Sequence, residues 1–338
     1  MNNGILATLE EGNTGVENKS KINKESCRDQ VESFRKTKKI LSSEILKFEG
    51  VEGLDVYNPS VPFQWIGESI LVGRVENRES EASKAVFFKN MDGIWVSCDD
   101  LPVFDLQDPF ITTIGDEFVL GGVRVIYEGE KIINWVTDFY RGTDLRQLEM
   151  FASGPMRMKD IRLIGLPDRK VGIFTRPKGK EVKQQYGYIA KIGFTVLNSI
   201  DEINEESIEN ASLLDDHFLP YEWGGCNQLH ILKNGLIGAV GHIAWGEGEG
   251  RNRILHYYGM AFAIHPETRE MTPVKIISSR DCFPEGPSKK PRLKDVTFTA
   301  GLVRNDDGTS TLYTGLSDCQ VGKAIIPDPF MEYESSTI

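Results

Sequence analysis

Apolar positions along the chain fall into short runs, and from Val56 onward most runs are bounded by Gly, Pro, Asp or Asn. Runs of this length with turn residues at both ends predict strands rather than helices. Strands are expected at 69–75, 85–89, 93–97, 110–113, 118–125, 131–138, 161–164, 170–175, 186–194, 228–232, 236–242, 255–264, 295–303 and 310–316. Helical period is rare. A helix is expected over 31–47, with Val31, Phe34, Ile40 and Ile45 on one face, and an acidic helical excursion over 199–212. Residues 1 to about 27 are polar and read as a disordered leader. The pattern divides the chain into a polar, partly disordered or helical extension (1–47), a β-rich domain (48–330) and a tail (331–338).

The strands repeat. A polar corner stands before successive strand pairs at Asn58, Asp108, Asp160, Asn227 and Asp295, with intervals of 50, 52, 67 and 68 residues. The longer intervals contain the inserts, and the pairs turn at IGDE, LPDRK, LKNG and RNDDG. A period near fifty residues built from antiparallel strands fits propeller blades. The expected fold is all-β, a five-bladed β-propeller with a short polar or helical N-terminal extension. Such a fold gathers one polar residue per blade around a central pocket.

Composition narrows the partners. The 338 residues carry a formal net charge of -11, which disfavours nucleic acid and anionic membrane as general partners. The N-terminus lacks an uninterrupted apolar segment of signal type, and no long apolar run occurs elsewhere. Five scattered cysteines without a CxxC pair read as reduced thiols in a cytoplasmic protein. No metal and no cofactor are expected.

The candidate chemistry centres on LQDPFIT. Pro109 fixes its own φ and pushes Asp108 towards extended geometry, placing a carboxylate at the mouth of a strand. The plain reading of one Asp-Pro is an Asx turn; its recurrence as a polar corner in each unit favours a site. Cations accompany the corners at Arg74, Arg124, Arg141, Lys159, Arg162, Arg176, Lys178 and His242, and Arg or Lys at several strand starts of an acidic chain suggests an anion pocket. Trp65, Tyr140, Tyr221, Trp223, Trp245 and Tyr257 offer faces for sugar stacking or fill blade interfaces. The Gly-rich stretch WGEGEGRNR has no phosphate-loop pattern. PSKKPRLK reads as a solvated basic loop.

Four stretches, LQDPFITTIGDEFVLGGVRV, KDIRLIGLPDRKVGIFTRPKGK, NGLIGAVGHIA and DVTFTAGLVRNDDGTSTLYTGLSD, taken in this order, resemble the mannosyltransferase/phosphorylase (MTP) family, glycosyltransferase family 108. More distantly they resemble the β-mannoside phosphorylases of glycoside hydrolase family 130. The likeness covers residues 50–328. It implies an inverting enzyme acting on β-1,2-linked mannose oligomers, with inorganic phosphate and mannose 1-phosphate, or GDP-mannose in some members, as partners. Carried over by position, Asp108 would be the catalytic acid or base. Asn58, Arg74, Asp160, Asp295 and Asp318 would hold sugar, and Arg124, Arg176 and His242 would line the phosphate side. GCNQLH departs from the distant family's pattern, so Cys226, Asn227 and His230 receive no role.

Chemistry tests that implication. An inverting hydrolase needs two carboxyls, one for the leaving oxygen and one for water. Phosphorolysis needs one acid and cations to hold an anionic nucleophile. One prominent acid among many cations favours phosphorolysis and its reverse, transfer from a sugar phosphate. Asp295 or Asp318 as a second carboxylate keeps hydrolysis open, and a non-catalytic sugar- or protein-binding propeller remains the reading from another class.

Overall fold

Twenty-two strands account for about half of the described backbone in the computed structural model, which describes residues 25–178, 182, 184, 190–214, 217–335 and 338. The all-β class expected from the sequence holds. Residues 1–24 of the leader expected over 1–27 and residues 186–189 of the strand expected at 186–194 lie outside the described residues, while Cys27 already belongs to a helix.

Helix α1 (Cys27–Thr37) opens the described chain. Ser26 caps it by accepting from the Asp29 amide at 3.1 Å, and Arg35 and Lys36 complement its C-terminal end. Cys27 and Val31, one turn apart, are its buried face. The helix expected over 31–47 therefore starts earlier and stops at Thr37. Beyond it β1 (Ser42–Ile45) and β2 (Lys47–Glu49) are strands, because sheet edges elsewhere in the chain recruit them. Strand β1 pairs antiparallel with the last strand, Ser42 opposite Ile325, and the segment 42–47 thus belongs to the sheets rather than to an extension.

Five antiparallel sets follow. The first comprises β3 (Asp55–Tyr57), β4 (Phe63–Trp65), β5 (Glu68–Glu76), β6 (Lys84–Met91) and β7 (Ile94–Ser97), with β2 added parallel to β7. The second is β8 (Gln107–Ile114), β9 (Glu117–Glu128), β10 (Lys131–Gly142) and β11 (Glu149–Ser153). The third is β12 (Arg162–Gly165), β13 (Val171–Thr175), β14 (Ile192–Leu197) and β15 (Ser212–Leu214). The fourth is β16 (Trp223–Ile231), β17 (Ile237–Glu247), β18 (Ile254–Ile264) and β19 (Lys275–Ser278). The fifth is β20 (Asp295–Arg304), β21 (Thr309–Leu316) and β22 (Gln320–Pro327), completed by β1. The last two sets join into one sheet through a short parallel pairing of β18 with β20, His256 opposite Asp295. The acidic stretch 199–212 holds a 3-10 turn, Ile200–Glu202, and one short α-helix, Glu205–Glu209, with a capping box from Asn204 and Ser207.

The core lies between neighbouring sets. Phe110, Val119 and Phe139 of the second pack on Ile161, Leu163 and Ile173 of the third, and Phe174, Ile192 and Phe194 of the third pack on Ile237 and Ile243 of the fourth. Each such buried side chain contributes about 1.5–3 kcal/mol, which holds the starts of successive sets in fixed relation. Among the described residues no helix is long and apolar enough to cross a membrane.

Candidate active site

Asn58, Asp108, Asp160 and Asp318 share one backbone feature. All four have left-handed φ, at 43°, 48°, 58° and 56°. Asn and Asp tolerate this region better than other side chains with a Cβ, at a cost of about 1–3 kcal/mol where the surroundings enforce it. Asp108 sits at a register shift between Gln107 and Phe110, a bulge in β8. The extended geometry expected before Pro109 is thus replaced by a left-handed corner. Tertiary hydrogen bonds to the carboxylate outweigh the local pre-proline preference.

Those bonds come from the first set of strands. Asn58 Nδ2 donates to Asp108 Oδ1 at 2.7 Å, and Arg74 Nη1 donates to the same oxygen at 3.0 Å. Burial alone would raise the pKa of Asp108; Arg74, Lys159 and Asn58 outweigh it and hold the carboxyl below its ordinary range. The remaining Arg74 hydrogens go to Glu76 Oε2 at 2.8 and 3.2 Å and to Ser83 Oγ at 2.9 Å. Glu76 also receives Tyr57 Oη at 2.5 Å and pairs closely with Lys289. The guanidinium is locked at both ends, with the Tyr57 ring 4.8 Å from its carbon.

A second cluster surrounds Asp160, from the third and fourth sets. Arg176 makes a close ion pair with Asp160 Oδ2, and both side chains are buried. Although burial alone would raise it, Asp160 is held well below the carboxylate range, chiefly by Arg176. His242 Nε2 lies 3.8 Å from the same oxygen, and its Nδ1 meets Asn227 Oδ1 at 2.9 Å. Burial pushes the His242 pKa down to about 3, with Asp160 opposing the shift and Arg176 adding to it, so the ring is neutral at pH 7. Lys178 is brought down to about 8, first by burial and then by Arg176 and Lys159. Arg176 Nε, His242 Nε2 and Asn227 Nδ2 are buried without a hydrogen-bond partner in the protein. With its one N–H at Nδ1 given to Asn227, the neutral His242 keeps Nε2 as an acceptor, so the unspent donors here are Arg176 Nε and Asn227 Nδ2, which suit an anionic group.

Asp318 follows β21, with Ser317 also left-handed. Burial, opposed by Arg74 and reinforced by the Asp108 charge, pushes its pKa up to about 6. Two carboxyls in one electrostatic neighbourhood are therefore driven in opposite directions, one ionised and one near neutrality.

Two expected site residues stand apart from this network. Asp295 accepts from Tyr258 Oη at 2.7 Å, meets His256 Nδ1 at 2.7 Å and has Arg35 of α1 at 3.6 Å. The parallel pairing with β18 turns it towards those partners. Arg124 pairs with Asp138 within its own sheet at 2.5 Å, where Ser153 also donates to Asp138. His230 contacts Gln228 and the Phe330 ring, and Cys226 is a buried thiol in the core. Trp223 is buried and donates to Tyr257 Oη at 2.9 Å, whereas Tyr221 is exposed.

Other residues at the site escaped the sequence reading. Lys289 belongs to the stretch expected to be a solvated loop, yet it is buried against Glu76, a partner 213 positions away. Nothing in local spacing signals such a pair. Gly315 and Gly225 are cradle residues: a Cβ at Gly315 would fall 1.9 Å from Asn58 Oδ1, and one at Gly225 would fall 2.9 Å from Arg176 Cδ.

Comparison with known proteins places this chain in a family. Residues 32–332 match the family model described as a protein of unknown function, DUF1861. The structure is similar to MPT-4, a mannose phosphorylase from Leishmania mexicana in complex with phosphate ion, at 34% identity and TM-score 0.84, covering 92% of this chain and 95% of that one. It is similar to MPT-1, a GDP-Man-dependent mannosyltransferase from Leishmania mexicana, at 34% identity and TM-score 0.83, covering 93% and 97%. A β-1,2-mannobiose phosphorylase from Listeria innocua shares the fold at 16% identity and TM-score 0.59, over 84% and 93%. A search of curated protein sequences returns no significant match. The sequence resemblance, the shared fold and these identities over nearly the whole length agree: the chain belongs to the mannosyltransferase/phosphorylase family that carries the DUF1861 domain, and it is an enzyme acting on sugars.

Proposed function

We propose that the protein is an inverting β-1,2-mannoside phosphorylase and mannosyltransferase, which moves mannose between mannose 1-phosphate and β-mannose oligomers on a five-bladed propeller. The propeller reading draws support from the five antiparallel sets and from one small cavity lined by Ser60, Phe110, Arg162, Asn227 and Phe298, one residue from each set or its leading loop. The observation that carries the chemistry is the pairing of one hydrogen-bonded carboxylate, Asp108, with a cation cluster in which Arg176 Nε is a buried, unspent donor.

In the transfer direction, ionised Asp108 accepts the proton of the attacking acceptor hydroxyl, directly or through a sugar hydroxyl. The bond between the anomeric carbon and phosphate breaks as the new glycosidic bond forms on the opposite face, and phosphate departs with its electron pair towards Arg176, His242 and Lys178. Phosphorolysis reverses each step, with protonated Asp108 delivering its proton to the leaving oxygen. The depressed Asp108 pKa suits the base role of the free enzyme. The phosphate ion named for MPT-4 and the mannose chemistry named for all three relatives support the substrates, and MPT-1 supports GDP-mannose as a donor to be tried beside mannose 1-phosphate.

The raised pKa of Asp318 favours one second reading, hydrolysis with two carboxyls. Incubation with β-1,2-mannose oligomers, with and without inorganic phosphate, beside Asp108→Asn, separates the two. Mannose 1-phosphate formed only with phosphate and only by the unsubstituted enzyme supports phosphorolysis. Free mannose released without phosphate assigns hydrolysis instead.

A further inference from the structure

Lys289 is buried, and its ammonium has two carboxylate partners, pairing closely with Glu76 and donating to Glu81 Oε1 at 3.0 Å. Glu76 belongs to β5 of the first set, whereas Lys289 stands in the stretch that leads into the fifth. The backbone of that stretch is fixed as well. The Lys289 amide donates to Ser317 O at 2.9 Å, Cys319 Sγ donates to Pro287 O at 3.2 Å, and Ser317 Oγ donates to Lys294 O at 3.1 Å. Residues 287–294 are thus stitched to the turn after β21, where Ser317 and Asp318 are both left-handed. One residue ties that turn to the first set of strands.

Lys289, Glu76, Arg74 and Asp108 form a line of alternating charge, each group bonded to the next. Burial alone would raise the Glu76 pKa; Arg74 chiefly, helped by Lys289, Ser83 and Tyr57, holds it below the ordinary carboxylate range. A buried carboxylate with a single cation would claim that cation fully. With Lys289 as a second partner, Glu76 binds Arg74 through Nε and Nη2 and leaves Nη1 for Asp108. In a poorly screened interior, a charge removed at one end of such a line is felt at the other.

We propose that Lys289 is a positioning residue for the reaction: through Glu76 it commits Arg74 to Asp108, and through its backbone it holds the turn that carries Asp318. The role rests on Asp108 being the reacting base, as in the function proposed above. Asp108 also faces Asn58, Lys159 and Asp160 ahead of β12, Arg162 on it, and Asp318 after β21, while Arg74 has Glu81 at 3.6 Å and the Tyr57 ring beside it. With those groups in place, loss of Lys289 shifts the titration of Asp108 and does not abolish it.

The pH profile of kcat/KM for transfer from mannose 1-phosphate to a β-1,2-mannose oligomer tests this role. In Lys289→Met, Glu76 draws on Arg74, and the acid limb should move up by about half a pH unit or more. Lys289→Arg should return the limb to its original position. So should the double variant Glu76→Gln/Lys289→Met, which removes one charge of each sign and keeps an acceptor for Arg74. A lysine that only holds the fold would lower activity without moving the limb, and its loss would not be relieved by a second substitution. An unmoved limb in Lys289→Met, or a limb equally displaced in the double variant, overturns the proposal. Should Lys289→Met fail to fold, Lys289→Gln, which keeps a donor for Glu76, carries the same expectation. Carbon-13 titration of the Asp108 carboxyl, assigned with Asp108→Asn, reads the shift without turnover. An unsubstituted protein that transfers no mannose while this midpoint still rises in the Lys289 variant counts against the proposed function alone; an active enzyme with a fixed midpoint counts against Lys289.

Discussion

Arg74 reaches from β5 into the neighbouring set and donates to Asp108 Oδ1 at 3.0 Å, while its other nitrogens are held by Glu76 and Ser83. The acid of one set is therefore tuned by a cation of another, and that cation is itself fixed by a buried glutamate. Orientation as well as charge follows from this arrangement, since the fork can point at Asp108 only while Glu76 occupies its far side.

Arg74→Met should remove the principal counter-charge of Asp108. In the transfer direction, where the proposed function makes Asp108 the base, the acid limb of the kcat/KM profile should move to higher pH, because a carboxyl released from Arg74 binds its proton more tightly. Activity at pH 7 should fall by about 10²-fold or more. Arg74→Lys should recover part of the pH shift but little of the rate, since a point charge cannot serve Asp108 and Glu76 together. An unmoved acid limb in Arg74→Met would sink the proposed coupling.

Gly315→Ala introduces a Cβ 1.9 Å from Asn58 Oδ1 and 2.8 Å from its backbone nitrogen. The expected outcome is displacement of Asn58 and loss of its hydrogen bond to Asp108. Activity should drop by about 10²-fold with the far-ultraviolet circular dichroism retained. Full activity in the alanine variant would mean that Asn58 does not position Asp108.

How far the site was legible in the sequence follows from where each residue's partners lie. Asn58, Asp108 and Asp160 could be found because each is an Asx residue at a corner before a strand, a local signal. Asp318 came from the resemblance, since its corner follows a strand rather than preceding one. Asp295 occupies a similar corner, yet the short parallel pairing with β18 gives its carboxylate to His256 and Tyr258, partners that local spacing does not announce. Lys289 and Glu76 were beyond reach: their pairing depends on closure of the whole chain. The same holds for β1, whose helical-looking sequence is decided by the free edge of β22.

Arg176→Lys tests the anion side. The ammonium keeps a charge beside Asp160 but loses the second nitrogen that a phosphate would engage. KM for phosphate in phosphorolysis should rise about tenfold or more, with a smaller change in kcat. Arg176→Ala should in addition destabilise the fold by about 3–5 kcal/mol, because it leaves Asp160 buried and unpaired. A phosphate KM unchanged in the lysine variant would remove Arg176 from the phosphate side.

Val31→Asp places a charge on the buried face of α1, beside Cys27 and the core residues of the third and fourth sets. Helix docking should be lost, at a cost of several kcal/mol, measured as a lower urea midpoint. A midpoint equal to that of the unsubstituted protein would show that α1 contributes nothing to the stability of the sheets.

Asp318 makes a prediction about pH with a definite sign. Its folded pKa, about 6, lies above the ordinary value of 3.8 for an aspartate. Between those values the folded protein binds the proton more tightly than the unfolded chain, so this group favours folding at low pH and that contribution is lost as pH rises through 6. Above pH 6 the ionised carboxylate remains next to Asp108 and becomes a liability of up to about 3 kcal/mol. Asp318→Asn, which keeps the shape and removes the charge, should therefore stabilise the protein at pH 8 and have little effect near pH 4. Urea unfolding at the two pH values measures the difference directly. Equal effects at both would mean that Asp318 titrates as an ordinary surface carboxylate, and with it would go the case for a second carboxyl acid at this site.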